Sequence, residues 1–173
     1  MKKLFTILTF AVVGVTFAQE DESKFNVSGS VDAYFRANLT SSNVGSTGDY
    51  SAFNNDSGFS LGLANVTLSY EGEKVGFMAD LAVGQRADLY NGEGSIVNEA
   101  YMYWNVSDKV TLQMGRFNNW MGYEELSSAN NFHYTMSHMF TYTARNYNGL
   151  VARFDLGNDF GLGLGLMNPV NVI

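Results

Sequence analysis

From Phe25 to Leu39 the chain alternates without a break. Odd positions (Phe25, Val27, Gly29, Val31, Ala33, Phe35, Ala37, Leu39) are uncharged and mostly apolar, and even positions (Asn26, Ser28, Ser30, Asp32, Tyr34, Arg36, Asn38) are polar. Successive side chains leave a strand on opposite faces, so a period of two predicts a β-strand. At about 3.3 Å per residue this stretch would reach roughly 50 Å, far longer than the usual strand of about 5–6 residues. A strand so long with one uniformly apolar face asks for an apolar environment along that whole face.

The same alternation recurs six more times. From about Phe59, a second strand sets Ala64, Val66, Leu68 and Tyr70 against Asn65, Thr67, Ser69 and Glu71. Phe59, Leu61 and Leu63 fall on the other parity. The phase slips near Leu63–Ala64, as a β-bulge or a strand end beyond the apolar layer would make it. A third strand sets Val75, Phe77, Ala79, Leu81 and Val83 against Gly76, Met78, Asp80, Ala82 and Gly84, with Arg86 and Asp88 continuing its polar face. Ala100, Met102, Trp104 and Val106 mark the fourth, and Val110, Leu112 and Met114 the fifth. Leu150, Ala152, Phe154 and Leu156 mark the sixth, and Phe160, Leu162, Leu164 and Leu166 the seventh, stopped by Asn168-Pro169. Residues 40–57, 91–95 and 118–148 read as longer loops by their Ser, Asn, Gly and Asp content, and 71–74, 107–109 and 157–159 as tight turns.

One apolar face suits a soluble sandwich as well as a membrane barrel. Three features favour an antiparallel, up-and-down, all-β transmembrane barrel. Short turns alternate with long loops, as in outer-membrane barrels. The apolar face carries no charge on any of the seven strands, whereas a midplane Lys or Arg would cost about 2–4 kcal/mol. Tyr70, Trp104 and Phe160 stand at strand ends on that face, where interfacial aromatics lie.

Composition agrees. The chain has 18 glycines, one proline and no cysteine, which removes disulfides, thiolate metal sites and a cysteine nucleophile. Lys2-Lys3, the apolar run Leu4–Val15 and Thr16-Phe17-Ala18 have the form of a secretory signal peptide over residues 1–18, leaving 19–173 as the barrel domain. Removing the two lysines takes the formal charge from −7 to −9, and an acidic chain without a basic run does not suggest nucleic acid. No later apolar run is long enough for a transmembrane helix, so a membrane location means strands.

Specific residues carry a family resemblance: Asn98-Glu99-Ala100-Tyr101-Met102-Tyr103, Leu112-Gln113-Met114-Gly115-Arg116-Phe117, Met121-Gly122-Tyr123-Glu124, Asn131-Phe132-His133-Tyr134-Thr135-Met136-Ser137 and Gly165-Leu166-Met167-Asn168-Pro169. In order and spacing these resemble the β-barrel porin-2 (OmpL-like) family of Gram-negative outer membranes. The resemblance implies a solute channel. Members of that family are about twice this length.

The polar face would then line a lumen. Its candidates are Asp32, Tyr34, Arg36, Asp80, Arg86, Asp88, Glu99, Tyr101, Tyr103, Arg153 and Asp155, whose mixed signs suit a wetted channel wall or, alternatively, a plug in which they pair. Loops beyond about 15 residues are usually functional or disordered. By analogy with general porins, 118–148 could fold inward as a constriction lined by Trp120, Tyr123, Glu124, Glu125, Arg145 and Tyr147; the alternatives are an extracellular lid or strand extensions over 132–142. His133 and His138 are five apart and point apart in a strand, so no metal site is expected. Glu124-Glu125 would diverge, and no Gly-x-Ser-x-Gly elbow occurs, so no catalysis is expected. Asn54–Gly58 lacks the downstream glutamate of a calcium loop. No cofactor is implied. The expected partners are outer-membrane lipid and small hydrophilic solutes, with a homo-oligomer left open. The competing readings are a non-conducting barrel whose loops act as adhesin or receptor, and a soluble secreted β domain.

Seven strands running up and down leave the first and last parallel, so a chain closing by antiparallel pairs should need further strands. The terminal Asn171-Val172-Ile173 also lacks the aromatic end typical of a final barrel strand.

Overall fold

A computed structural model describes residues 24–40, 56–92, 94–120, 122–143 and 145–169. The expected signal peptide, most of the first long loop and the last four residues lie outside these. Seven strands form one sheet in chain order: β1 (Phe25–Arg36), β2 (Gly58–Glu71), β3 (Val75–Val83), β4 (Val97–Ser107), β5 (Val110–Asn118), β6 (Asn146–Gly157) and β7 (Phe160–Pro169). Every neighbouring pair is antiparallel. The strands run 9 to 14 residues, which brackets the roughly 9–11 residues a tilted strand needs to cross a bilayer. Among the described residues the sheet is not closed: its edges are β1 and β7, and the architecture is an open, up-and-down antiparallel barrel wall.

The turn between β6 and β7 shows how local chemistry sets the register. Asn158 and Asp159 both have positive φ, 54° and 64°, in a two-residue link between paired Gly157 and Phe160. That is the conformation a right-twisted hairpin favours, and Asn and Asp tolerate it. Asp155 Oδ1 accepts the Gly157 N–H at 2.8 Å and braces the turn.

The phase slip in β2 is a bulge. Asp32 pairs with Leu63 and Ala33 with Leu61, leaving Gly62 as the extra residue. Gly62 and Leu63 are both buried, while Leu61 and Val66 are exposed on the opposite face. A second bulge follows the same logic. Asp80 pairs with Glu99 and Leu81 with Val97, so Asn98 is the extra residue beside Glu99. The expected continuation of β3 through Arg86 and Asp88 does not occur. Residues Gln85–Asn91 instead form a short helix, α1, because Gly84 (φ 110°) turns the chain off the sheet. Nor does 132–142 extend the strands; it carries a second short helix, α2 (His138–Tyr142), after a 3₁₀ turn at Ser128–Asn130.

Burial is inverted relative to a soluble β domain. Val31 is 76% exposed, Phe59 89% and Leu166 81%, and Val27, Phe35, Met102, Trp104, Met114, Leu162 and Leu164 are exposed with them on the same face. Contiguous apolar surface on this scale marks a surface that meets apolar partners. The opposite face holds the buried residues. Leu63 of β2 and Ala82 of β3 pack with Ala87 and Tyr90 of α1 and with Leu126, Met136 and Phe140 of the β5–β6 connection. Tyr90 and Phe140 stack at 5.5 Å.

Aromatics gather at both ends of the exposed face. Near the tight turns, Phe77 lies 6.5 Å from Phe25 and 6.2 Å from Tyr70, and near the long loops Phe35 lies 4.8 Å from Phe59. Among the described residues no helix is long and apolar enough to cross a membrane.

If the exposed face meets lipid, Val31→Arg should lower the unfolding free energy in vesicles by about 2–4 kcal/mol. Ser28→Arg, on the opposite face of the same strand, should cost far less. Equal costs in a urea titration would contradict the assignment of faces.

Candidate functional site

The site is built on the polar face, where three elements converge. The first is Asp32, one residue from the bulge. Its carboxylate accepts the Tyr134 hydroxyl at 3.1 Å and the Ser128 hydroxyl at 3.4 Å, and Arg86 Nε lies 3.6 Å away. Arg86 is 6% exposed, donates from Nη2 to the Tyr134 carbonyl at 2.8 Å and stacks 4.3 Å from the Tyr134 ring centroid. A Cβ on Gly62 would sit 2.6 Å from Asp32 Oδ2 and 3.1 Å from the Tyr134 hydroxyl, so a side chain there would displace the groups of this junction. The segment leaving β5 therefore crosses the polar face and is fastened to β1. Burial raises the Tyr134 phenol above its ordinary range.

The second element is the carboxylate pair Asp80 and Glu99, opposite each other on β3 and β4. Asp80 accepts from Asn65 Nδ2 and Thr67 Oγ1 at 2.8 Å each, and from Asn98 Nδ2 at 2.7 Å. Glu99 accepts the Asn118 backbone N–H at 2.8 Å. These donors are neutral, so they orient the carboxylates without cancelling their charge.

The third is the inward face of the connecting segment. Glu124 accepts from the backbone N–H and the hydroxyl of Ser137, and Glu125 accepts Asn130 Nδ2 at 2.6 Å. Between this segment and the sheet lies a cavity of about 610 Å³. Of the lumen candidates, Asp80, Glu99, Tyr101 and Arg153 line it; of the constriction candidates, Trp120, Tyr123, Glu124 and Glu125 do.

The remaining candidates lie elsewhere. Tyr34 donates to Gln85 Oε1. Arg36 Nη1 donates to Asn38 Oδ1 at 3.4 Å. Asp88 is exposed on α1, and Asp155 braces the β6–β7 turn. Tyr103 lies across Gly76, its cross-strand partner. Arg145 donates to the Leu89 carbonyl, and burial lowers its pKa. Tyr147 supports Trp120 from 5.7 Å. His133 is exposed.

Reading by parity missed Asn98, because the bulge moves it onto the same face as Glu99. It also missed Tyr134 and Ser128, which reach Asp32 from about a hundred residues away in sequence. Tyr90 was missed for a similar reason: it is buried by α1 and α2, and burial pushes its phenol up to about 12, although its oxygen accepts the Asn119 N–H at 3.2 Å.

The chain matches no curated protein and no solved structure. A family model described as "Putative beta-barrel porin-2, OmpL-like" matches residues 24–173, which span all seven strands and every residue of the site. The chain belongs to this β-barrel porin family.

Proposed function

We propose that the chain forms a passive channel for small hydrophilic solutes in the outer membrane, delivered there by a secretory signal at residues 1–18. Porin-family membership supports a porin-type role and that location. The observation that carries the reading is the inverted burial: the apolar face is bare while Asp80 and Arg86 on the opposite face are buried, an arrangement suited to lipid outside and water inside. Catalysis is not part of this reading. Lipid is the partner of the apolar face, and solute the partner of the polar one.

In this reading residues 119–145 form a constriction. They cross from β5 to β1 over the polar face and carry Glu124 and Glu125 toward Asp80 and Glu99. A second reading is a plugged barrel whose outer loops bind a partner. It is favoured by the apolar cluster of Leu126, Met136 and Phe140 against Leu63 and Ala82, which fills part of the same face.

Planar-bilayer recording separates the two. Discrete conductance steps support the channel, and a folded, inserted chain without them supports the plug. Replacing residues 124–143 by a short Gly-Ser link should raise single-channel conductance, and an unchanged value would sink the constriction.

A finer test targets the fastening. Asp32→Asn leaves Arg86 buried beside a neutral group, and breaking a buried pair costs about 3–5 kcal/mol, less where one partner is partly exposed as Asp32 is. The crossing segment should loosen, giving frequent transitions to larger conductance. Tyr134→Phe removes one hydrogen bond, worth about 1 kcal/mol, and should act in the same direction more weakly. Steady, wild-type-sized steps in both variants would show that Asp32 does not hold the segment.

A further inference from the structure

We infer that in the channel proposed above, on which this inference rests, Arg153 is the specificity-determining residue. It is a permanent positive charge at the junction of two recesses, set against the acids on either side, and it fixes the ion preference.

The first ground is position. The cavity of about 610 Å³ beneath residues 119–145 and another of about 510 Å³, toward the β6–β7 turn, share a single lining residue, Arg153. Arg153 is paired with Thr111 on β5 and with Gly163 on β7. A Cβ on Gly163 would meet nothing within 4 Å, so β7 puts no side chain in front of the guanidinium. A solute moving from one recess to the other along this wall passes it.

The second ground is the state of the charge. Among the described residues Arg153 is the only exposed arginine; Arg86 is buried, and Arg36, Arg116 and Arg145 are half-buried. Its Nε donates to Gln113 Oε1 at 2.6 Å, and its guanidinium lies 5.9 Å from the Trp120 ring centroid. Both partners are neutral. Among the described residues the only ion pair is Arg86–Asp32, so no carboxylate neutralises Arg153. Asp155, two positions along the same face, accepts the Gly157 N–H instead. A guanidinium keeps its proton at any ordinary pH. The two contacts hold it in place through Nε and the ring face, and its Nη groups remain as donors for a passing anion.

The third ground is contrast. The upper recess carries Asp80, Glu99, Glu124 and Glu125. The lower one carries Asp108, Asp155 and Asp159, with Lys109 at the β4–β5 turn. Acids outnumber bases in both, so each concentrates cations. Arg153 interrupts that field where the recesses meet. It offers an anion a fork of donors and sets a local barrier to a cation. Without it, the wall would be acidic from one recess into the next.

The test uses the full chain in planar bilayers under a potassium chloride gradient, where the reversal potential reads the cation-to-anion permeability ratio. In Arg153→Gln the ratio should rise severalfold in favour of potassium. Arg153→Lys keeps the charge and should stay near wild type. Lys109→Gln removes the same charge at the turn and should shift the ratio far less. Gly163→Asp leaves Arg153 in place and sets a carboxylate opposite it. Its shift should exceed that of Gly161→Asp, which adds the same charge opposite Asp155. That pair decides the matter if Arg153→Gln does not fold. An unchanged ratio in Arg153→Gln, a shift just as large in Lys109→Gln, or a ratio in Arg153→Lys as high as in Arg153→Gln would each overturn the assignment. Conductance steps with an unchanged ratio remove the role of Arg153 and keep the channel. A folded, inserted wild-type chain without steps removes the channel reading and this inference with it.

Discussion

In hydrocarbon, a backbone N–H or C=O has only another backbone group to bond, and an apolar side chain has no reason to hide. Both conditions shape this chain. Its strands are paired along nearly their whole length, with the two internal bulges confined to the loop-bearing half of the sheet. Its apolar side chains stand uncovered on one face. The hydrophobic effect that would fold a soluble sheet onto a core therefore has little to act on between strands here. What remains for it is a small cluster on the opposite face, where Leu63 and Ala82 meet α1 and the β5–β6 connection.

That cluster and Asp32 do complementary work. The cluster gives the crossing segment an apolar seat, which is non-directional and sets roughly where it lies. Asp32 gives direction, because its contacts to Tyr134, Ser128 and Arg86 come from two different connections. The bulge at Gly62 is what allows both. It returns Leu61 and Phe59 to the outer face while Leu63 stays on the inner face to seat the segment, and it leaves beside Asp32 the space that a side chain would have filled. Unbroken alternation from Ala64 would have carried Leu61 and Phe59 onto the inner face beside Leu63.

The strands, their faces and the short turns were legible in the sequence because each rests on neighbours one or two residues apart. The period of two in Phe25–Arg36 is the clearest case. The slip near Leu63–Ala64 was visible as broken parity, and the structure resolves its alternatives as a bulge at Gly62. Arg86 and Asp88 were misplaced because polar alternation can run on into a helix start, and Gly84 gave a stop signal that parity alone does not weigh. At the site, the two acids at Asp80 and Glu99 could be placed on one face. Their amide partners could not, since Asn98 reaches Asp80 only through the second bulge. Contacts such as Tyr134 to Asp32 depend on how a long segment folds back, and no local pattern encodes that.

The two edges and the inner wall of β7 bear on where a solute could pass. β1 and β7 run in the same direction, so closure by the antiparallel rule of every other seam takes an odd number of intervening strands. The inner positions of β7 are Gly161, Gly163 and Gly165, opposite Asp155, Arg153 and Val151. A Cβ on Gly163 would meet nothing within 4 Å, so the wall is open beside the Arg153 guanidinium. Arg153 also lines both the cavity under the crossing segment and a second one, of about 510 Å³, toward the β6–β7 turn. A path down the inner face of β5 to β7 therefore leaves the acids of the upper cavity, passes Arg153 and ends among Lys109, Asp108, Asp155 and Asp159. A solute moving along that wall would meet both signs of charge, with Arg153 shared between the two recesses, rather than one uniform field.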